Sequence, residues 1–335
     1  MLRAALAVVL VAVAVPSALA ADAFMGDWQG SAMRAEGEEA RLCAQVIAWG
    51  EGKYQANLLE QFDARDVTLA VLHGRALREG KVAFEGKAGK GDLAGTQWTA
   101  TCDGETFSGS TRGDHAGTFA LEKVTRLSPT LGAEAPEGAT VLFDGTRKSM
   151  ANWQRRGGQP IRWKLDEDEK SMTVRGGGII SKHKFADHKL HIEFRTPYQP
   201  TKRGQGRGNS GVYLQGRYEV QVLDSYGLEG RHNECGGIYS VAPPRVNMCA
   251  PPLQWQTYDI VFHAPRFDDE GKKTKNAVIT VRHNGVLIHE NQEIPKPTTA
   301  HWGGDPSKPN GVHIQDHGNP VSYRNIWAIE MESEK

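Results

Sequence analysis

Beyond residue 139 the chain runs as short segments of alternating polar and apolar residues with turn-formers between them, and no helical periodicity comes in between. Stretches 189–196, 210–215, 218–223, 257–263, 277–283, 286–290 and 321–331 all read as strands. Asn284-Gly285 lies between Thr280-Val281-Arg282-His283 and Val286-Leu287-Ile288-His289. It is the strongest hairpin signal in the chain, because a type I′ turn needs positive φ at both central residues. Many short strands without crossover helices predict two packed antiparallel sheets, a jelly-roll-like sandwich, one sheet of which could curve into a groove.

The first part of the chain is also strand-like, at 53–62, 67–72, 81–84, 106–110 and 118–124, with glycine-containing turns. A small β-barrel or sandwich over 21–125 is expected, with the turn-rich segment 126–138 as a linker and 139–335 as the second domain. Residues 1–20 carry Arg3, an apolar run from Ala4 to Val15 and Ser17-Ala18-Leu19-Ala20 before the expected cut, the pattern of a secretory signal. A periplasmic or secreted protein follows, with no membrane span, since the run is too short for the ~20 residues a spanning helix needs. Export permits disulfides, so Cys43 is expected to pair with Cys102 and Cys235 with Cys249, each within its own half.

Forty Lys and Arg balance forty Asp and Glu, and no basic block gathers, so the composition argues against a nucleic-acid partner. Gly204-Gln205-Gly206-Arg207-Gly208 lacks the spacing of a dinucleotide loop and reads as a flexible loop. No G-x-S-x-G is present, and His232, His283 and His289 match no closed zinc pattern. Trp28, Trp49 and Trp98 in the first half would serve as core or as a sugar-stacking platform.

The chemistry concentrates on three segments. In Tyr218-Glu219-Val220-Gln221-Val222-Leu223-Asp224, Glu219 and Gln221 share one face while Val220 and Val222 enter the core. Asp224 is out of phase and joins that face only if the strand bulges or ends before it. Tyr213 and Gln215 share a face of the preceding strand, and His313, Gln315 and His317 share a parity farther on. Amide, imidazole, phenol and carboxylate groups on neighbouring strands suit a hydroxyl-rich ligand. Trp153, Trp163, Trp255 and Trp302 are available to flank it.

The second half resembles the 3-keto-disaccharide hydrolase family from Val141 to Ile329. The resemblance rests on Leu142-Phe143-Asp144-Gly145-Thr146, Phe194-Arg195, Asn209-Ser210-Gly211-Val212-Tyr213, Tyr218 to Asp224, Gly237-Ile238-Tyr239, Trp255-Gln256-Thr257-Tyr258-Asp259, His283-Asn284-Gly285-Val286, Gln315-Asp316-His317-Gly318 and Tyr323-Arg324-Asn325-Ile326-Trp327. It implies an all-β, concanavalin A-like jelly roll and cleavage of 3-keto-glycosides by removal of the C2 proton, β-elimination of the C1 aglycone and hydration of the glucal. The Glu219–Asp224 run is similar to the Glu-x-Asp-x-x-Glu strand of laminarinase-type glycosidases, with an amide, Gln221, in the middle. On this resemblance Glu219 or a nearby histidine is the base, and Arg195, His317 or one divalent cation stabilises the enolate. Asn209, Tyr213, Gln215, Gln221, Trp255, Gln315 and Arg324 would bind the sugar, with Asp224 as the candidate metal ligand. A lectin-like binding protein and a retaining glucanase are the alternatives, the latter weakened by Gln221.

Overall fold

The computed structural model describes residues 22–34, 37–64, 68–88 and 93–332; the signal-like segment 1–20 lies outside them. Eight strands open the chain: β1 (Gly26–Arg34), β2 (Glu39–Gly50), β3 (Lys53–Leu59), β4 (Ala70–Ala76), β5 (Val82–Lys87), β6 (Gln97–Cys102), β7 (Thr106–Arg112) and β8 (Gly117–Val124). Each pairs antiparallel with the next, and β8 returns to β1, so the sheet closes into an up-and-down barrel. Gly30 and Gly109 face a neighbouring strand so closely that a Cβ would stand 2.1 Å from the Ala120 or Thr99 carbonyl oxygen. Glycine at such points allows a small barrel to bend its strands tightly.

The second domain is a sandwich. Its smaller sheet runs, in order, Trp153–Gln154, Ile179–Ser181, His313–Ile314, Ser210–Leu214 and Tyr218–Val222. The larger sheet runs Lys164–Asp166, Ser171–Thr173, Ser322–Glu330, His188–Arg195, Gln256–His263, Ala277–His283 and Val286–Ile294, with Thr140–Phe143 also beside Ser322–Glu330. Alternation decides what lies between them. Val212, Leu214, Val220 and Val222 from one sheet meet Leu190, Ile192, Phe194, Tyr258 and Tyr323 from the other in the core. The Tyr323 hydroxyl crosses this core to donate to Ser210 Oγ at 2.7 Å. At Asn284 (φ 49°) and Gly285 (φ 80°) the expected hairpin forms, pairing His283 with Val286.

Segment 126–138 does not hang free between the two bodies. Ser128 Oγ lies 2.7 Å from Thr257 Oγ1, Thr130 Oγ1 donates to Asp259 Oδ2 at 2.6 Å, and the Ala133 carbonyl accepts from Asn325 and Trp327. It is therefore strapped across the outer face of the larger sheet. The barrel is held at a second place, through Asp27 on β1, which accepts from Tyr226 Oη at 2.7 Å and Arg126 Nε at 2.7 Å. At a third, Trp49 of β2 lies beneath the guanidinium of Arg203 at 4.2 Å and of Arg207 at 5.3 Å, while Tyr198 Oη donates to Asp22.

All four cysteines are buried thiols, which corrects the expected bridges. Cys102 points into the barrel opposite Val82 and Phe107, whereas Cys43, opposite Leu59, has the outward parity of β2, so they cannot meet. Cys235 and Cys249 are neighbours in the sandwich and interact as thiols, with Tyr258 Oη 3.2 Å from the Cys235 sulfur. The three tryptophans of the first half form no platform. Trp28 and Trp98 are inside the barrel and Trp49 is in the seam. Among the described residues, no helix is long and apolar enough to cross a membrane.

The seam yields a stability test. Arg207 Nε donates to Asp224 Oδ2 at 2.6 Å in a buried pair. Truncating one member of such a pair strands the other charge, at a cost of roughly 3–5 kcal/mol. Arg207→Ala should lower the urea midpoint by a corresponding amount, read by far-UV circular dichroism.

Candidate functional site

The outer face of the smaller sheet is polar because the strand register makes it so. Tyr213 pairs with Glu219, Gly211 with Gln221, and His313 with Tyr213, so these five positions stand on one surface, away from the valines beneath. A tight turn at Gln215 (φ 50°) and Gly216 (φ 63°) fixes that register. Gly211 has a second role: a Cβ there would sit 2.3 Å from Glu219 Oε1 and 3.0 Å from the Tyr213 ring. Its missing side chain leaves the space in which the Glu219 carboxyl lies across the neighbouring strand.

Glu219 is 3 % exposed and has no ion-pair partner among the described residues. Burial pushes its pKa up to about 8, against a smaller opposing pull from the Tyr213 hydroxyl. Tyr213 Oη donates to the Thr299 carbonyl at 3.2 Å and accepts from Gln315 Nε2 at 3.2 Å. On the Gln221 side, Gln221 Nε2 donates to Gln205 Oε1 at 3.0 Å, Asn209 Nδ2 to the same oxygen at 3.1 Å, and Gln205 Nε2 to the Asn233 carbonyl at 2.7 Å. Gln221 Oε1 and both ring nitrogens of His313 are buried without a hydrogen-bond partner. Burial pushes the His313 pKa down to about 3, with Arg156 adding to the shift, so the ring is neutral.

Segment 295–312 lies over this surface. Thr298 Oγ1 accepts from the Glu219 amide at 3.0 Å, and Trp302 stacks on His313 with centroids 4.0 Å apart. Arg217, in the turn between the two key strands, holds the cover through bonds to the Asp305 and Lys308 carbonyls. Eighteen residues without a regular element are long for a connection and typical of functional loops.

Of the residues singled out in the sequence, Glu219, Gln221, Tyr213, Asn209 and Gln315 come together here. Others do not. Arg195 and Arg324 stand on the outer face of the larger sheet, because Leu190, Ile192 and Phe194 take the inward positions and Glu193 and Arg195 alternate outward. There Arg195 pairs with Glu169, Arg324 with Glu193, and both guanidiniums lie over Trp255. The whole core separates this cluster from Glu219. Desolvation would raise the Glu193 carboxyl, but bonds from His191, Asn325, Arg324 and the Gly132 amide outweigh it and hold its pKa at about 2, the signature of an ion-paired structural group.

Gln215 also leaves the face. Its positive φ ends the alternation, and its amide donates to the Phe185 carbonyl and accepts from Arg217. His317 is exposed in the turn after the His313–Ile314 strand, with no bond to Glu219 among the described residues. Asp224 does not fit a metal ligand. Its strand ends at Val222, and its oxygens are taken by Arg207 Nε and the Tyr226 amide. Among the described residues, no group of three or more His, Cys, Asp or Glu is placed to hold a metal ion. Trp153 and Trp163 are core residues, and Trp302 alone of the four flanking candidates reaches the site.

The sequence reading missed Gln205 and underrated His313. Gln205 sits in the short 3₁₀ turn Gly204–Gly206, inside the loop read as flexible; Gly208 anchors that loop through its amide to Gln199 and Asn319 side chains. The signal for His313 was its shared parity with Gln315.

Residues 138–329 match the family model described as a 3-keto-alpha-glucoside-1,2-lyase-like domain. The chain belongs to the 3-keto-disaccharide hydrolase family, a group of carbohydrate-active enzymes. Its fold is similar to that of a candidate glycosyl hydrolase from Parabacteroides distasonis, at 37% identity and a TM-score of 0.53, covering 59% of this chain and 85% of that one. A second candidate glycosyl hydrolase from the same organism aligns at 18% identity and a TM-score of 0.43, covering 58% of this chain and 95% of that one. No curated protein matches the sequence. The matched family region begins after the barrel, which ends at Val124.

The glycine that makes room for the carboxyl gives the test of this geometry. Gly211→Ala should leave the fold intact, because the obstructed atom is the tip of a side chain. A displacement of ~1 Å can cost ~100-fold in rate, so turnover of whatever substrate the enzyme accepts should fall by one to two orders of magnitude, with KM changing less.

Proposed function

We propose that this family member cleaves 3-keto-glycosides by elimination and hydration, with Glu219 moving the protons. The observation that carries the reading is the Glu219 carboxyl: buried, without a counter-ion, and raised to about 8 on a face otherwise made of amides, a phenol and an imidazole. A structural carboxylate is normally paired, as Glu193 and Asp224 are here. An unpaired one whose pKa lies near working pH suits a group that must both take and return a proton.

A ketone at C3 acidifies the proton on C2. The Glu219 carboxylate takes that proton, the electron pair forms the C2–C3 enolate with charge on O3, and collapse of the enolate expels the C1 aglycone with its bonding electrons while Glu219 returns the proton to the departing oxygen. Water then adds its oxygen to C1 of the unsaturated ketone and its proton to the Glu219 carboxylate, which passes it to C2 of the resulting enolate. Arg195 stands on the far face, so we assign the enolate oxygen to neutral donors on the Glu219 face, Gln315 Nε2 and Tyr213 Oη, which would exchange their bonds to each other and to the Thr299 carbonyl for it. Gln221 Oε1 and His313, which lack hydrogen-bond partners among the described residues, are suited to accept from or donate to sugar hydroxyls. Entry of a sugar to the buried carboxyl would require segment 295–312 to move off the face, breaking the Thr298 contact with the Glu219 amide. A retaining glucanase needs a second carboxyl about 5 Å from the first, and Asp224, the other carboxylate of the run, is locked to Arg207. The signal-like residues 1–20 support export to the periplasm or medium.

The deciding assay offers a chromogenic 3-keto-glucoside and the unoxidised glucoside to the purified protein. Release from the keto sugar alone is expected; release from the plain glucoside alone would mean a conventional glycosidase, and release from neither a binding protein. Because Glu219 works as the carboxylate, kcat/KM should climb with pH and level off above about 8. Tyr213→Phe removes the contact that favours the charged form, so it should move that inflection upward.

Glu219→Gln should cost ~10²–10⁴-fold in rate and yet stabilise the protein in alkali. The folded-state pKa lies above the ordinary glutamate value of about 4.5, so the native state binds the proton more tightly than the unfolded chain does. The stability this gives is complete below about 4.5 and is lost as pH rises through about 8. An amide has no such loss, so the melting temperature of the variant should exceed that of the parent at pH 9 and match it at pH 4.

A further inference from the structure

Three rings meet where segment 295–312 crosses the smaller sheet. The Trp302 indole stacks on the His313 imidazole with centroids 4.0 Å and planes 25° apart, and the Tyr213 ring stands 4.8 Å from the same imidazole. Gly178, just before the strand Ile179–Ser181, makes room for the stack. A Cβ there would stand 2.8 Å from His313 Nε2 and 3.3 Å from Trp302 Cζ2. His313 is 1 % exposed while Trp302 is only half-buried, so the indole is the outer layer of the pair.

This arrangement is costly to the imidazole. Both of its nitrogens are buried with no hydrogen-bond partner among the described residues. Such a group gives up its water and receives nothing in return, and an indole stacked on the ring face cannot pair with nitrogens whose lone pair and hydrogen lie in the ring plane. A ring bearing hydroxyls, set in the place of the indole, can. The backbone on either side of Trp302 is bent for a change of position: Ala300 (φ 60°), Gly303 (φ 69°) and Gly304 (φ 88°) are all left-handed. That conformation is unfavourable for alanine, and local strain of this kind gathers at segments that switch.

We propose that Trp302 is a built-in plug: in the free protein its indole fills the place above His313 that a ring of the substrate takes, and the substrate must displace it to reach the imidazole. This rests on the reading of the Glu219 face as a sugar site and goes beyond it, since it makes one of the protein's own side chains the competitor. A plug weakens apparent affinity in proportion to the fraction of molecules from which it is absent. Its presence can be tested without any sugar. Diethyl pyrocarbonate acylates neutral imidazole nitrogens that solvent reaches, and peptide mass spectrometry locates the adduct. The His313 ring is neutral, so cover alone protects it. In the full-length protein it should react far more slowly than His73, which is exposed on the barrel.

Trp302→Ala should bring the His313 rate up toward that of His73, whereas Trp302→Phe, which keeps a ring, should leave it slow. Equal His313 rates in the parent and Trp302→Ala would overturn the proposal. With the chromogenic 3-keto-glucoside, Trp302→Ala should lower KM by about two- to tenfold, the worth of one aromatic stack, and change kcat little. A raised KM would make Trp302 a platform that carries the substrate, and the plug would be wrong. If Trp302→Ala does not fold, ¹⁵N-labelled Glu219→Gln protein titrated with the same sugar decides. The Trp302 indole N–H resonance, assigned by its loss in Trp302→Phe, should move saturably, and a resonance that stays in place while calorimetry shows sugar binding would refute the displacement. A protein that neither binds nor cleaves the keto sugar would overturn the functional reading of the face instead, and the diethyl pyrocarbonate comparison would still decide the plug.

Discussion

The three-residue turn between strands 210–214 and 218–222 sets everything at the candidate site. Positive φ at Gln215 and Gly216 closes the hairpin in one register. Because side chains alternate with period two, a slip by one residue would send Glu219 into the core and a valine to the surface. The same turn carries Arg217, which is buried and reaches the Asp305 and Lys308 carbonyls. The backbone there also accepts from Thr298 and Trp302 amides. One short turn thus fixes both the floor of the site and the segment lying over it.

The two faces of the sandwich have opposite electrostatic characters, and the contrast separates structure from chemistry. On the larger sheet, Glu193, His191, Asp259 and Arg324 neutralise one another beneath the 126–138 strap, and Glu193 is held fully ionised. On the smaller sheet no cation pairs with the carboxyl among the described residues, and burial lifts its pKa to about 8. Both glutamates are buried and burial raises each carboxyl; around Glu193 the neighbouring donors outweigh that effect, and around Glu219 they do not.

Local periodicity told which residues share a face of one strand, and there the reading holds: Glu219 with Gln221, His313 with Gln315, and the Asn284-Gly285 hairpin. What it could not tell was which sheet a strand joins. Arg195 alternates as properly as Glu219 does, but on the opposite layer, and nothing within eight residues of sequence distinguishes the two. Gln215 was misread for a related reason, since it lies just past a strand end where alternation no longer applies, whereas Asp224, foreseen to depend on the strand ending before it, is taken up by Arg207 from a distant loop. The first domain was legible as a barrel or a sandwich. β1, Gly26–Arg34, carries only Trp28 and Met33 as large apolar residues among glycine, small and polar ones, and its pairing with β8 decides for the barrel.

The loop from Tyr198 to Arg207 presents Gln205 to the sheet face on one side and leans on Trp49 and Asp22 of the barrel on the other. The N-terminal unit is thus a splint for the wall of the catalytic domain and not a detachable tag. A shortened version beginning at the strap would retain every polar group of the site while losing the scaffold that keeps one of its edges in place. Shuffling such halves between relatives should succeed only when the seam residues travel with both.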